Sequence, residues 1–257
     1  MGGLVFITGA SSGIGQALAA EYAAAGWRLA LVARRDAALR EWAAAQGLGA
    51  ERCGVYAADV ADAASIGAAA RACIAAQGLP DVVVANAGIS VGVDTAEAED
   101  LAVLEQVYRT NVFGLAATFQ PFIAPLRARG AGTLVGVASV AGVRGLPGHA
   151  AYCGSKAAVV AHCESLRGEC RGSGVRVVTI APGYVATPLT SGNRFRMPFL
   201  MAPEAFARAA RRTIAAGTSY RVIPWQMGVV AKLLRLLPDA WFDRALAGQP
   251  RKRRAGH

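Results

Sequence analysis

Tyr152 and Lys156, in the second half of the chain, have side chains and a spacing that suit proton transfer. Four residues apart on a helix, a phenol and an ammonium project from one face and can meet over one substrate. A free tyrosine has a pKa of about 10, and a nearby Lys⁺ favours the phenolate, which brings the phenol closer to useful acid–base chemistry. Ser139, upstream, offers a hydroxyl to hold a carbonyl or alcohol oxygen. The spacing alone is common on helix surfaces, so its meaning depends on the rest of the chain.

A pyrophosphate-binding turn is predicted near the first residues. Residues 4–7 are an apolar run typical of a buried strand, and a helical pattern begins at Gln16. Glycines between them let backbone N–H groups approach an anion, and the helix dipole favours negative charge there. The alternative is a tight strand–helix turn that binds nothing. The residues expected at this site are Gly9, Ser11, Ser12, Gly13, Ile14 and Gly15.

Together these motifs resemble the short-chain dehydrogenase/reductase family, in its single-domain branch. The resemblance runs from about Leu4 to about Thr187. It implies a catalytic tetrad of Asn111, Ser139, Tyr152 and Lys156. It also implies further cofactor contacts from Asp59 and Val60 at the adenine, from Asn86, Ala87 and Gly88 after the fourth strand, from Tyr152 and Lys156, and from Pro182, Gly183, Val185 and Thr187.

The resemblance also implies a role for each member of the tetrad. Tyr152 would donate a proton to the substrate carbonyl as hydride arrives from the nicotinamide, and Ser139 would orient that oxygen. Lys156 would lower the pKa of Tyr152 and hold the nicotinamide ribose, and Asn111 would position a water that supplies Lys156 with protons. In the alternative, the pair lies on a helix surface, Asn111 caps a helix and Ser139 ends a strand.

The apolar runs indicate the fold class. Seven of them alternate with alanine-rich helical stretches, a βαβ rhythm that argues for a parallel sheet covered on both faces. We therefore expect a single-domain Rossmann-type α/β/α sandwich with a mainly parallel sheet of about seven strands. Residues 1–225 would form the dinucleotide-binding and catalytic domain, with a substrate lid at about 184–205, and residues 226–257 a basic amphipathic C-terminal extension.

The end of the second strand predicts which dinucleotide binds. An enzyme for NAD places a carboxylate there for the ribose 2′-OH, whereas one for NADP needs a cation for the 2′-phosphate. Arg34 stands at the site of that carboxylate, and Arg35 follows it. Asp36 is another candidate for the contact with the ribose, but capping the N-terminus of the next helix is its simpler role. We therefore expect NADP(H), with Arg34 as the main determinant and Arg35 as the secondary one.

The net charge of +10 lies entirely in the last quarter of the chain. Residues 1–189 hold 14 basic and 14 acidic residues, whereas residues 190–257 hold 13 and 3. A basic amphipathic segment (222–237) and a basic tail (251–254) lie there. The segment could cover the substrate pocket or pack against another subunit, it could bind an anionic membrane surface, or the tail could be solvated without a role. Nucleic-acid binding is not expected, because no recognisable module accompanies the charge.

The predicted lid bears on the substrate. It contains five large apolar residues, which suggest the roof of an apolar pocket: Phe195, Met197, Phe199, Leu200 and Met201. A lipophilic ketone or alcohol is therefore favoured over a sugar. Arg194 or Arg196 could meet an anionic group on such a molecule, and His149 could line the pocket.

Composition and the remaining residues set the context. Five scattered cysteines fit reduced thiols in a cytosol, and no metal site is expected. No signal peptide or spanning helix is expected, so we predict a cytoplasmic location, with peripheral membrane contact as the alternative raised by the basic segment. Two long helices, at about 98–128 and 150–172, would pack a homodimer or homotetramer, as the resemblance implies.

Two functions of different kinds remain. The first is an NADP-dependent oxidoreductase that interconverts a carbonyl and an alcohol. The second is a non-catalytic NADP(H)-binding sensor or scaffold protein of the same fold, and fold alone cannot choose between them. The intact tetrad favours the enzyme.

Overall fold

The structure, a computed structural model, describes residues 2–193 and 195–254 and contains one seven-stranded sheet. All neighbouring strands are parallel and lie in the order β3-β2-β1-β4-β5-β6-β7. Each predicted strand is found within two residues of its expected ends. The strands are β1 (Leu4–Thr8), β2 (Arg28–Ala33), β3 (Cys53–Ala57), β4 (Val82–Ala85), β5 (Gly132–Val137), β6 (Val175–Pro182) and β7 (Tyr220–Ile223).

Helices cover both faces of the sheet, as the sequence predicts. They are α1 (Gly13–Ala24), α2 (Asp36–Ala45), α3 (Ala63–Gln77), α4 (Asp100–Tyr108), α5 (Gly114–Arg129), α6 (Ala150–Glu169), α7 (Pro188–Ser191), α8 (Pro203–Ala215), α9 (Trp225–Leu236) and α10 (Asp239–Leu246). Because side chains alternate along a strand, Val5 and Ile7 pack against α1, α2 and α8, whereas Leu4 and Phe6 pack against α3, α5 and α6. The predicted three-layer α/β/α sandwich is confirmed.

The order of the strands creates a crevice in the middle of the sheet. β1 pairs with β2 on one side and with β4 on the other, so the connections that leave β1 and β4 diverge. In open parallel sheets, ligands bind at this point, outside the carboxyl ends of the strands. The glycine-rich turn after β1 and the segment Asn86–Gly88 after β4 both lie at this edge.

The two long helices of the prediction differ slightly from those observed. The first is helical from Asp100 to Arg129, but Arg109–Phe113 form a π-helical turn between α4 and α5. Such turns often occur at functional sites. The second, α6, ends at Glu169. The π-helical turn contains Asn111, so the local irregularity falls on a predicted catalytic residue.

The C-terminal quarter folds onto the sandwich. α9 follows β7 directly and packs beside it, and a Cβ added to Gly183 would lie 2.7 Å from Met227 Cγ. In residues 2–193 and 195–254, no helix is long and apolar enough to cross a membrane. The same residues contain no group of three or more His, Cys, Asp or Glu side chains that could hold a metal ion.

Candidate active site

The glycine-rich turn after β1 is shaped by close backbone contacts. Gly9 has a φ of 66°, and a Cβ added there would lie 2.8 Å from the Cα of Ala87. Gly13, at the start of α1, has a φ of 55°. Within the described chain, the Ser12 side chain makes no capping hydrogen bond to α1. The first N–H groups of this helix are therefore available to an anion in the crevice.

Thr8 and Asn86 hold this turn against the end of β4. Thr8 Oγ1 accepts hydrogen bonds from the backbone N–H groups of Asn86 (3.1 Å) and Ala87 (3.2 Å). Asn86 Nδ2 donates to the carbonyls of Thr8 (3.0 Å) and Gly9 (3.2 Å). Asn86 thus acts in this structure as a brace for the turn. Thr8 belongs to the same motif but was not among the predicted site residues, although its position at the end of β1 was a usable signal.

A groove of about 520 Å³ runs along the crevice. Most residues predicted to contact the cofactor line it: Gly9, Ser11, Ser12, Gly13, Ile14, Arg34, Arg35, Asp59, Val60, Asn86, Ala87, Gly88, Tyr152, Lys156, Pro182, Gly183, Val185 and Thr187. Gly15 is the exception. A Cβ on Gly15 would lie 2.2 Å from Gly9 O, so this glycine allows close packing of α1 beneath the turn. Gln106, Thr110 and Thr190 also line the groove and were not predicted.

The end of β2 presents two cations to the groove. Arg34 and Arg35 are exposed and line it. Asp36 was expected to be an N-cap, but this is wrong, because Arg35 holds that position and Asp36 is the first residue of α2. Its carboxylate accepts a hydrogen bond from Arg40 at 3.2 Å and complements the helix dipole.

Lys156 and Tyr152 meet at the floor of the groove. Lys156 is 5% exposed, and its Nζ donates to Val137 O at 2.8 Å. Burial lowers the pKa of Lys156 to about 8, because a desolvated ammonium is costly. Its Nζ lies 5.9 Å from the centroid of the Tyr152 ring.

The phenol of Tyr152 does not titrate as the sequence suggested. Burial raises its pKa above the ordinary value, and a hydrogen bond with Ser139 opposes part of that shift. The expected lowering by Lys156 is not the dominant effect. Tyr152 is therefore a neutral phenol near pH 7. Ser139 Oγ also accepts a hydrogen bond from Ala141 N at 3.1 Å, which fixes its place after β5.

Asn111, the fourth member of the tetrad, is buried, and its side chain makes three hydrogen bonds. Its Oδ1 accepts from Ile89 N (2.8 Å), and its Nδ2 donates to Ile89 O (3.0 Å) and Ser155 Oγ (2.9 Å). A Cβ on Gly88 would lie 3.2 Å from Asn111 Oδ1 and 3.4 Å from Lys156 Nζ, so both groups approach the same point. Among the described residues, Asn111 is the tetrad member that does not line the groove. Its role in positioning a water remains a prediction.

A second cavity, of about 380 Å³, opens on the other side of Tyr152 and Ser139. These two residues line both spaces, as do Gly183, Leu189 and Thr190, so groove and cavity adjoin at Tyr152 and Ser139. Much of the cavity wall comes from the inner faces of α9 and α10: Met227, Val230, Ala231, Leu234, Phe242, Ala245 and Leu246. These inner faces of the C-terminal segment therefore cover the pocket, which was one of the alternatives considered for the segment.

The lid matches its prediction in part. Phe195 lines the cavity and contacts His149 (5.7 Å between ring centroids) and Tyr184 (6.1 Å). His149 also lines it. The other four apolar residues do not belong to the roof: Met197 accepts a hydrogen bond from Asn193, Phe199 and Leu200 are about half exposed, and Met201 pairs with Val185 and packs against the core. Arg196 lines the cavity, and Arg194 lies outside the described residues.

Arg144 anchors the C-terminal cover, which comprises α9, α10 and the tail that follows them. This residue was not predicted from the sequence. Its guanidinium donates to the carbonyls of Leu234 and Leu237 and to Asp239 Oδ1 (2.6 Å), and it lies 3.8 Å from the centroid of the Phe242 ring. All four partners lie about ninety or more residues downstream. Nothing in the local sequence around Arg144 could have indicated them.

The basic tail also contacts the domain. Arg254 donates to Asp100 Oδ2 and to Glu99 Oε1, both at 2.8 Å, and Gly92 N donates to Arg253 O at 2.9 Å. Arg251 Nη1 lies 3.7 Å from Asp94 Oδ2. Residues 251–254 therefore lie against the domain, and the alternative of a tail without a role stays open.

Comparison with known proteins agrees with this geometry. Residues 3–196 match the family model for short chain dehydrogenases. A protein of Myxococcus xanthus described as an uncharacterized oxidoreductase is 40% identical over 242 residues, which cover 93% of this chain and 94% of its own.

Two solved structures are similar along most of the chain. A short chain dehydrogenase/reductase from Burkholderia phymatum in complex with NAD has a TM-score of 0.80 at 25% identity and covers 90% of this chain and 92% of its own. An alcohol dehydrogenase from Thermococcus sibiricus complexed with 5-hydroxy-NADP has a TM-score of 0.76 at 26% identity, covering 87% and 96%. By its matching motifs, its sheet order and these relatives, the chain belongs to the short-chain dehydrogenase family and is an oxidoreductase of that family.

Proposed function

We propose that this oxidoreductase is NADP-dependent and interconverts a carbonyl and an alcohol on a lipophilic substrate by hydride transfer. The observation that carries the proposal is that Tyr152 and Ser139 line both the dinucleotide groove and the cavity beneath α9 and α10. A substrate oxygen in the cavity can meet both hydroxyls while its carbon faces the groove. The apolar cavity wall supports the lipophilic class.

The groove fits a dinucleotide. It combines the exposed N-terminal end of α1, glycines whose added Cβ atoms would collide with backbone, and side chains for both ends of the molecule. Arg34 and Arg35 would hold the 2′-phosphate, Asp59 and Val60 the adenine, and Lys156 the nicotinamide ribose. When bound, the nicotinamide supplies or accepts the hydride.

The residues of the chain would handle the proton. Because the pKa of Tyr152 is raised, its phenol carries a proton at pH 7 and can donate it to the oxygen of a reduced carbonyl. Ser139 would hold that oxygen by a hydrogen bond that strengthens as negative charge develops on it. Lys156 would return a proton to Tyr152, and Asn111, which approaches the same point beside Gly88, would position a water that supplies Lys156 with protons.

The choice of NADP(H) rests on Arg34 and Arg35. Both are exposed at the groove, while the competing Asp36 is paired with Arg40. A charge-assisted contact contributes about 1.5–3 kcal/mol, so NADPH should bind roughly tenfold to a hundredfold more tightly than NADH. Fluorescence titration measures both affinities. Equal or tighter binding of NADH would contradict the preference, and Arg34→Asp should reverse it.

The enzymatic proposal is tested by NADPH oxidation with a panel of lipophilic ketones and aldehydes. Turnover supports the oxidoreductase. Binding of NADPH without turnover of any member would favour the alternative, a non-catalytic sensor or scaffold protein. The presence of all four groups of the predicted tetrad supports the enzyme, with Asn111 and Lys156 approaching one point beside Gly88 and Tyr152 hydrogen-bonded to Ser139.

We further propose a cytoplasmic homodimer or homotetramer. Five cysteines, all buried thiols, support the compartment, and exposed Leu101 and Phe113 on the α4–α5 segment support a subunit contact. Light scattering of the wild type and of Leu101→Glu tests the assembly. A wild type of monomeric mass would contradict it.

The outer face of α9 and α10 is the proposed contact with an anionic membrane surface. Its exposed apolar residues are Trp225, Val229, Leu233, Leu236 and Trp241, and Lys232 and Arg235 lie on the same segment. Sedimentation with phosphatidylserine vesicles should be lost in Leu233→Glu. If that variant instead dissociates an oligomer without changing sedimentation, this face is a subunit contact.

A further inference from the structure

We propose that Lys252 is an anion-binding residue of the substrate cavity, and that the substrate carries an anionic group separated from its reacting carbonyl or alcohol by hydrocarbon. This inference rests on the proposed function of the cavity and narrows its substrate class. The group that Lys252 would bind is a carboxylate, sulfonate or phosphate, all of which accept charge-assisted hydrogen bonds.

The charges around the cavity are all of one sign. None of its described lining residues is Asp or Glu, whereas Arg144, Arg196 and Lys252 are basic. Arg144 is already paired with Asp239 and with two carbonyls. Its charge is used in holding α9 and α10. Arg196 is exposed to solvent. Among the described lining residues, Lys252 is therefore the half-buried cation whose charge no carboxylate balances.

The ammonium of Lys252 has only neutral partners. Its Nζ donates to Leu189 O at 3.0 Å and to Asn193 Oδ1 at 3.1 Å. Within residues 2–193 and 195–254, no carboxylate lies within ion-pair distance of it. A lysine has three donors, so one remains for a ligand. Burial lowers the pKa of Lys252, which is the cost that a bound anion would offset.

The neighbours of Lys252 in the tail behave differently. Arg251 lies 3.7 Å from the carboxylate of Asp94, and Arg254 is paired with Glu99 and Asp100 at 2.8 Å. These ion pairs fasten the tail on both sides of Lys252. The tail therefore places one cation at the cavity and ties its flanking cations to the domain.

His149, which also lines the cavity, does not compete with Lys252 for an anion. Burial and the charge of Lys252 lower the pKa of His149, so this imidazole is neutral at pH 7, and its Nδ1 lies 3.1 Å from Pro147 O. His149 begins the turn that leads to Tyr152 and lines the same cavity. Lys252 and Tyr152 thus place an ammonium and a phenol in one cavity, and the wall of that cavity is otherwise largely apolar.

The test compares a straight-chain oxo-carboxylate with its methyl ester as substrates. In the wild type, kcat/KM should be about tenfold to a hundredfold higher for the acid, mainly through KM. Lys252→Met should remove that preference and leave the ester unchanged. Lys252→Arg should retain most of it. Arg253→Gln, which changes an exposed neighbouring cation, is the matched control and should alter neither substrate.

Several results would overturn the proposal. They are a wild type that prefers the ester, or a Lys252→Met variant in which both substrates decline together. If the wild type turns over neither these two compounds nor any member of the ketone and aldehyde panel, the proposed function fails, but the anion site is still measurable by calorimetry with decanoate. Decanoate should then bind the wild type at least tenfold more tightly than Lys252→Met, and equal affinities would refute the site.

Discussion

The dinucleotide crevice and the C-terminal cover are two regions of one molecule that are held together by different kinds of contact. The crevice is formed by the ends of adjacent strands and by glycines whose backbone geometry is local. The cover is held by side chains that reach far along the chain, such as Arg144 to Asp239 and Arg254 to Asp100. Residues 1–189, which form most of the crevice, have no net charge, whereas the excess of basic residues lies in residues 190–257, which include the cover.

This difference separates cofactor binding from substrate selection. Backbone N–H groups and a helix terminus bind a phosphate whatever the substrate is, so the crevice needs few specific side chains. The cavity, by contrast, takes its wall from α9, α10 and the tail. Changes in the crevice should affect all reactions of the enzyme, whereas changes in the cover should affect KM and substrate choice.

The largest expected effect comes from the boundary between the regions. Tyr152→Phe should lower kcat by about 10²–10⁴-fold, because it removes the proton donor while preserving the ring. The affinity for NADPH, measured by fluorescence, should stay within a factor of a few. Substantial residual turnover would refute the role of Tyr152.

A matched pair of glycine substitutions compares the two regions directly. Gly9→Ala should cost about 2–4 kcal/mol, because a φ of 66° is strained for alanine and its Cβ would meet the Cα of Ala87 at 2.8 Å. Gly248→Ala, with a φ of 74° and no described atom within 4 Å, should cost only about 1–2 kcal/mol. Denaturant unfolding measures both. Equal costs would show that the crevice is no more tightly packed than the tail.

Loosening the cover should weaken substrate binding and lower stability without changing cofactor binding. Arg144→Met removes the hydrogen bonds to Leu234, Leu237 and Asp239, and we expect a loss of about 1–3 kcal/mol in stability. KM for a lipophilic ketone should rise several-fold, while the dissociation constant of NADPH stays unchanged. Weaker NADPH binding would show that the two regions are coupled.

The smallest effect concerns pH. The pKa of Lys156 is about 8 in the folded chain and 10.5 without burial, so the folded state releases this proton first. Above about pH 8, kcat/KM for carbonyl reduction should fall if the ammonium is needed. Between pH 8 and 10.5 the unfolded chain binds more protons, so the contribution of this group to stability should rise with pH. In Lys156→Met, both trends should be absent from the pH profiles of activity and of unfolding.

The residues of the crevice were predictable because their geometry depends on short stretches of chain. The strand Leu4–Thr8, the glycines after it and the spacing of Tyr152 and Lys156 each follow from local rules on burial, backbone freedom and helix periodicity. The lid shows where this approach fails. Phe199 and Leu200 are apolar yet half exposed, because a loop has no periodicity that assigns its side chains to a face.

By itself, the sequence determined the α/β sandwich and the strand–glycine–helix turn, since these depend on periodicity and on local spacing, and its resemblance to a family indicated the grouping of Ser139, Tyr152 and Lys156. Only the tertiary structure decided that burial raises the pKa of Tyr152, that Arg144 holds the cover, and that Lys252 reaches the cavity. Burial and contacts between residues as far as 190 positions apart depend on how the whole chain packs, and no local pattern encodes them.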